Sequence, residues 1–186
     1  MYQELVDPSA DPDLEQLVQE FARERWGRVS ALYGMLLHQP EVARAWLGLG
    51  GAIRKRTSLD DRRRELAICL VARLVDQDFE FENHAPIALR AGATQDELDA
   101  LLDRDSCSSF DEHDLQLLTF AEHVAMGTVT QEVFDAAAEH FGPPVLVEIA
   151  TTAAYDLATA RFLDAFGIRA GTRGLVVGTD TAEPNG

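Results

Sequence analysis

Residues 62–92 read RRRELAICLVARLVDQDFEFENHAPIALRAG, and this stretch decides the fold. Its first half is apolar at helical spacing and has no glycine or proline to interrupt it, so a strong helix is expected from Leu59 to about Val75. Ser58 is the expected cap, and Asp60 and Asp61 fall in the first turn, where the helix dipole favours carboxylates. A second helix is expected from about Asp78 to Ala91, ending at Gly92, a residue suited to the position just past a helix. A short turn near Asp76-Gln77 would fold the two helices antiparallel.

The same grammar extends in both directions. Upstream, Leu14, Leu17, Val18, Phe21 and Arg25 follow i, i+3, i+4 spacing behind Asp11-Pro12, a cap followed by proline at the first helical position. Val29, Leu32, Tyr33, Leu36 and Leu37 predict a second helix stopped by Gln39-Pro40. Val42, Ala45, Trp46, Leu49 and Ile53 predict a third, weakened by Gly48, Gly50 and Gly51. Downstream, Thr94 and Glu97 form a capping box that opens a short helix to about Leu102, followed by a polar loop over 103–109. Leu115, Leu118, Ala121, Val124 and Ala125 mark a helix closed by Gly127. Thr130 caps another that ends at Phe141-Gly142, and Pro143-Pro144 opens a long last helix through about Phe166.

No convincing period-2 strand appears. The expectation is an all-α bundle of about eight helices, with one domain over 1–168 and a tail over 169–186. The tail's apolar trio, Leu175-Val176-Val177, would dock on a neighbour, and Trp26 and Trp46 read as core or subunit-interface residues.

Composition bounds the function. The 186 residues carry 16 basic against 32 acidic side chains, a formal net charge of −16, which repels the phosphate backbones that dominate nucleic-acid binding. No apolar run approaches the roughly 20 residues of a membrane span. The acidic start, MYQELVDPSADPDLEQ, has no apolar core of a secretory signal, so a cytoplasmic location is expected. The two cysteines, Cys69 and Cys107, are too few for a disulfide scaffold and read as reduced. A soluble protein acting on a small molecule fits these bounds, with neither nucleic acid nor membrane as partner.

Chemistry concentrates in the quoted stretch. Glu80 and His84 are four apart and share a helix face one turn from each other. A carboxylate beside an imidazole favours the imidazolium and fixes the ring, as a general acid–base pair requires. Glu65, on the preceding helix at the lip of LAICLVA, would need a partner and would face the His84 end of the second helix. Gln77, at the turn, would add a neutral donor. By contrast, His113 in Asp111-Glu112-His113-Asp114 and the Glu122-His123 pair read as helix-end and surface residues. The run Arg54-Lys55-Arg56 and the run Arg62-Arg63-Arg64 read as solvated, with Arg64 the one candidate to turn inward.

The pattern Arg64-Glu65-Leu66, then Phe79-Glu80-Phe81-Glu82-Asn83-His84-Ala85-Pro86-Ile87-Ala88, then Ala91-Gly92 resembles the carboxymuconolactone decarboxylase family of the alkylhydroperoxidase-D-like superfamily. The likeness extends to LLHQPEVARAWLGL upstream and YDLATARFLDAFG downstream, over about residues 10–168. Peroxidase members of this superfamily carry a Cys-x-x-Cys pair, whose positions are held here by Gln77 and Glu80. Thiol peroxidase chemistry needs both thiols, so the resemblance implies the non-redox branch.

What it then implies is a cofactor-independent decarboxylase of a small carboxylated lactone or related acid, with no metal. His84 would be the proton donor, oriented by Glu80 and Glu65, while Gln77, Phe81 and Arg64 would line the substrate site. An arginine among Arg64, Arg73, Arg90 and Arg161 would hold the substrate carboxylate. An isomerase or dehydratase using the same residues, or a silent helical binding module, are the alternatives. Relatives assemble as trimers or hexamers, so a homo-oligomer is expected.

Overall fold

The computed structural model describes residues 4–24 and 28–176, and the fold is all-α. Among the described residues there are nine α-helices: α1 (Pro12–Glu24), α2 (Ala31–Leu36), α3 (Pro40–Lys55), α4 (Asp61–Leu74), α5 (Asp78–Arg90), α6 (Gln95–Asp99), α7 (Glu112–Met126), α8 (Gln131–His140) and α9 (Pro143–Ala165). Two short 3-10 turns, Pro8–Ala10 and Arg104–Ser106, complete the helical set. None of these helices is long and apolar enough to cross a membrane.

The helix starts follow the capping residues in the sequence. Thr94 and Glu97 close a capping box on α6, Thr130 caps α8, and prolines open α1, α3 and α9. Gly127 ends α7 in the left-handed conformation, φ +68°. One cap differs from the expectation. Asp60, not Ser58, caps α4 by accepting the Arg63 N–H. Ser58 instead donates its backbone N–H and its hydroxyl, each over 3.0 Å, to the Glu148 carboxylate on α9.

The expected second helix and the expected tail also change. Val29 does not join α2; Arg28–Val29 is a short strand, β1, paired antiparallel with β2 (Leu175–Val176). The described part of the tail thus pairs with its own chain. Gly174 permits the approach, because a Cβ there would lie 2.1 Å from the Val29 carbonyl oxygen. Arg25, Trp26 and Val177 lie outside the described residues.

Two apolar clusters hold the body together. One packs Leu66, Leu70, Leu117, Leu118, Ile149 and Ala153 between α4, α7 and α9. The other gathers Leu17, Phe21, Tyr33, Leu36 and Leu163 around α1, α2 and the end of α9. The central helix is α4, whose residues 64–72 are all buried. It packs most extensively on α5 and then on α9 and α7.

The basic run at the start of α4 is not solvated. Arg62 holds Asp114 through both guanidinium nitrogens at 3.0 Å and also pairs with Glu97. Arg63 reaches the same Asp114 at 2.8 Å and Asp111 at 2.9 Å. Both arginines gain carboxylate partners on neighbouring elements, and these contacts fix α4 against α6 and α7.

Candidate active site

Four ionisable side chains from three helices meet where α4, α5 and α9 pack together. Glu65 comes from α4, Glu80 and His84 from α5, and Asp156 from α9. His84 Nδ1 lies 2.7 Å from Glu65 Oε2. A carboxylate only accepts hydrogen bonds, so Nδ1 carries the proton and Nε2 is left to face the remaining acids. Glu80 Oε2 lies 3.6 Å from Nε2. Glu80, His84 and Asp156 each present one donor atom, and these atoms all lie within 4.8 Å of one another. The antiparallel α4–α5 pair therefore brings together the three residues expected from sequence, and α9 adds a fourth.

Burial sets the electrostatics. Burial by itself would pull the His84 pKa down, but the hydrogen bond and charge of Glu65, with Glu80 and Asp156 adding, leave it raised. The imidazolium is therefore favoured. Asp156 moves the other way for an acid. Burial pushes it up to about 8, with Glu80 and Glu65 reinforcing the shift and His84 and Arg54 opposing it. Asp156 thus keeps its proton at neutral pH, and its Oδ2 is buried without a hydrogen-bond partner. The His84 side chain retains 13% exposure against 2% for Glu65, so the ring, not its anchor, is what a solute reaches.

Of the other expected site residues, Gln77 and Phe81 are engaged elsewhere and only Arg64 touches the cluster, at Glu65. Gln77 is fully buried and committed to the fold: its carbonyl oxygen accepts the Phe79 N–H at the start of α5, and its amide donates to Asp164 at 2.7 Å. That side chain is a tether between α5 and α9, not a donor beside His84. Phe81 is half-buried with the Arg73 guanidinium 3.6 Å from its ring centroid. Arg64 is buried behind Glu65, with Nε 3.7 Å from Glu65 Oε1 and Nη2 donating to Asp61 at 2.6 Å. Glu82 is exposed and takes no part.

Of the arginines proposed to hold a substrate carboxylate, Arg90 is exposed and Arg161 pairs with Asp164 on the surface. Arg54 of α3 lies in the Arg54-Lys55-Arg56 run, for which the sequence predicts solvation. It acts by charge on both Asp156 and Tyr155, and it is in no ion pair among the described residues. Tyr155 donates its hydroxyl to the Trp46 carbonyl at 3.2 Å, and burial raises its pKa.

The acid missed by the sequence reading was Asp156. Its one sequence signal is an aspartate at the middle of a long helix, within ATTAAYDLATA, where every neighbour is apolar, small or aromatic. His113 and the Glu122-His123 pair remain structural. His113 packs edge-on against His140 and Phe141, Glu122 pairs with Arg104 at 2.6 Å, and His123 bonds to Thr128. Cys69, one turn past Glu65, is fully buried, and desolvation together with the nearby carboxylates pushes its thiol up. Both cysteines are free.

Residues 40–123 match the carboxymuconolactone decarboxylase family, a span that holds Glu65, Glu80 and His84. That stretch is thus similar to the carboxymuconolactone decarboxylase family, and the chain is similar in fold to alkylhydroperoxidase-D-like proteins. Solved structures of similar fold agree. A peroxidase-related protein from Ralstonia eutropha with an alkylhydroperoxidase AhpD core superimposes with a TM-score of 0.75 at 21% identity, over 90% of each chain. The debrominase Bmp8 in complex with 2,3,4-tribromopyrrole gives 0.73 at 16% identity, covering 93% of this chain and 90% of its own. A protein of unknown function from Agrobacterium tumefaciens gives 0.67 at 15% identity, covering 75% and 95%. At these identities the likeness is one of fold. No curated protein matches the chain significantly in sequence. Gln77 and Glu80 stand where the resemblance places the peroxidase thiols, and Glu80 is one of the three acids around His84.

Proposed function

We propose that the protein is a small-molecule enzyme of the proton-transfer type, a cofactor-independent decarboxylase of a carboxylated lactone or related acid. One observation carries the reading: His84 is clamped at Nδ1 by Glu65, while Nε2 points into a cluster with Glu80 and Asp156. Such a clamp fixes the tautomer and orients the ring, so the proton on Nε2 of the imidazolium is aimed rather than mobile. The raised pKa favours the protonated ring.

In the reaction, the bond between the ring carbon and the departing carboxylate breaks and CO₂ leaves. The electron pair delocalises through the butenolide onto the lactone carbonyl oxygen, so the substrate serves as its own electron sink. Nε2 of His84 then delivers a proton to carbon, and solvent restores the imidazolium. The net change is one proton taken up and one CO₂ released. Arg54, the cation acting on Asp156 and Tyr155, is the group we assign to the substrate carboxylate; its charge offsets the excess of acids around His84.

The test is CO₂ release from carboxymuconolactone by wild type and His84→Ala. Release by wild type alone supports the assignment. Equal release by both removes His84 from the mechanism, and conversion without CO₂ replaces decarboxylation by isomerisation or dehydration on the same residues. The homo-oligomer expected from the resemblance is checked by light scattering, where the mass of a single chain would reject it.

A further inference from the structure

We propose that Glu80, His84 and Asp156 form a binding site for one divalent first-row transition-metal cation, with Zn²⁺ or Mn²⁺ as the class of ligand. The donor atoms are a neutral imidazole Nε2 and two carboxylate oxygens, converging from α5 and α9. His84 Nε2 and Glu80 Oε2 are 3.6 Å apart, close to the roughly 3.4 Å between neighbouring ligands of a tetrahedral ion with bonds of about 2.1 Å. The remaining separations, at most 4.8 Å, close by rotation of the carboxylate side chains.

Two further observations point to a ligand rather than to a mere group of acids. Asp156 is only 5% exposed, and its Oδ2 has no hydrogen-bond partner. A buried polar atom left unpaired destabilises the fold, and a cation bound between it and Nε2 removes that penalty. The second is the Glu65 contact. Metal-ligating histidines commonly donate the other ring N–H to a carboxylate, which fixes the tautomer and strengthens the donor nitrogen. Glu65 Oε2 holds Nδ1 at 2.7 Å in that arrangement, one shell out from the three ligands. Three protein ligands would leave a fourth position for water or a small anion.

This inference goes beyond the proton-transfer reading and does not rest on it. An ion on Nε2 takes the position of the transferable proton, so the metal-loaded protein is silent in the CO₂ assay while the metal-free protein turns over.

The experiment reads binding, not turnover. Purified protein is stripped with chelator, dialysed against micromolar Zn²⁺ or Co²⁺, and assayed for bound metal and for the visible bands of a Co²⁺–imidazole site. One ion per chain is expected, with Asp156→Asn and His84→Ala each weakening binding at least 10-fold and Glu65→Gln weakening it about 10- to 100-fold. Circular dichroism checks that the variants fold. For a readout in the wild type alone, zinc titration followed by nitrogen NMR should shift His84 Nε2 and leave Nδ1 protonated. Absence of stoichiometric metal overturns the proposal. So does metal that survives in both ligand variants, because it would then sit on the acidic surface.

Discussion

Asp114 offers the sharpest test of how the fold holds Glu65 in place. Its side chain is 2% exposed and accepts three guanidinium contacts, two from Arg62 at 3.0 Å and one from Arg63 at 2.8 Å, plus the backbone N–H of Asp111. Replacing it with alanine breaks a buried ion-pair network, for which about 3–5 kcal/mol is typical. Arg62 keeps Glu97, Arg63 keeps Asp111 and Asp60, and both keep some water, so the low end applies. Losing half of the α7 capping box adds roughly 0.5–1 kcal/mol. Asp114→Ala should therefore lose about 3.5 kcal/mol in urea unfolding at pH 7, or roughly 10 °C in Tm for a chain of this size.

The pH dependence has a definite sign. Burial pushes the Asp114 carboxyl up, but Arg62, Arg63 and the Asp111 N–H together hold it below its ordinary 3.8. Its contribution is therefore complete above the unfolded pKa and lost as pH falls toward the folded one. The gap between wild type and variant should stay constant from pH 7 to about 5, then narrow by at most about 1.4 kcal/mol per unit between 3.8 and the lower folded pKa. A loss under about 1 kcal/mol at pH 7, or a gap unchanged at pH 3, would refute the assignment of Asp114 as the anchor of α4.

Three other outcomes follow. The rate of the metal-free enzyme should fall as pH rises through the raised pKa of His84, and Glu65→Gln should move that limb to lower pH because it removes the hydrogen-bonded charge that opposes burial; a pH–rate profile reads both. Gly50→Ala would place a Cβ 2.6 Å from the Tyr155 hydroxyl, forcing α3 off α9 and breaking the Trp46 contact; about 1–3 kcal/mol of overpacking is expected in urea unfolding, with altered tryptophan fluorescence. Cys107 should react with iodoacetamide in the folded protein while Cys69 resists until denaturant is added, a difference that mass spectrometry counts directly.

The α4–α5 pair was legible because its information is local. Apolar spacing, capping residues and a short turn specify two antiparallel helices, and from that geometry the meeting of Glu65, Glu80 and His84 follows. Asp156 is 72 residues beyond His84 in the chain and reaches it only because α9 packs on α4. No local pattern encodes that docking. The same distinction explains Ser58, a good cap by type that is drawn away by Glu148, 90 residues downstream. It also explains Arg62 and Arg63, whose charges read as solvated until Asp114 and Glu97 arrive from α7 and α6. Val29 joins a strand for want of nothing local either: its partner, Leu175, lies near the other end of the chain.

Asp114 and Asp156 are both buried aspartates, yet they act on the fold with opposite sign. Asp114 is ringed by arginines, stays ionised and stabilises the folded chain across the neutral range. Asp156 faces acids, takes up a proton that the unfolded chain releases near 3.8 and holds it to about 8. Folding stability therefore declines as pH rises across that window, by up to about 1.4 kcal/mol per unit from this group. An apolar side chain of similar size between Tyr155 and Leu157 would remove that cost and fill the space. A residue that makes the fold less stable at neutral pH, and leaves an oxygen unpaired beside an oriented imidazole, is explained by what the site binds or protonates rather than by packing. The cluster's chemistry and its cost to the fold thus arise from the same carboxyl group.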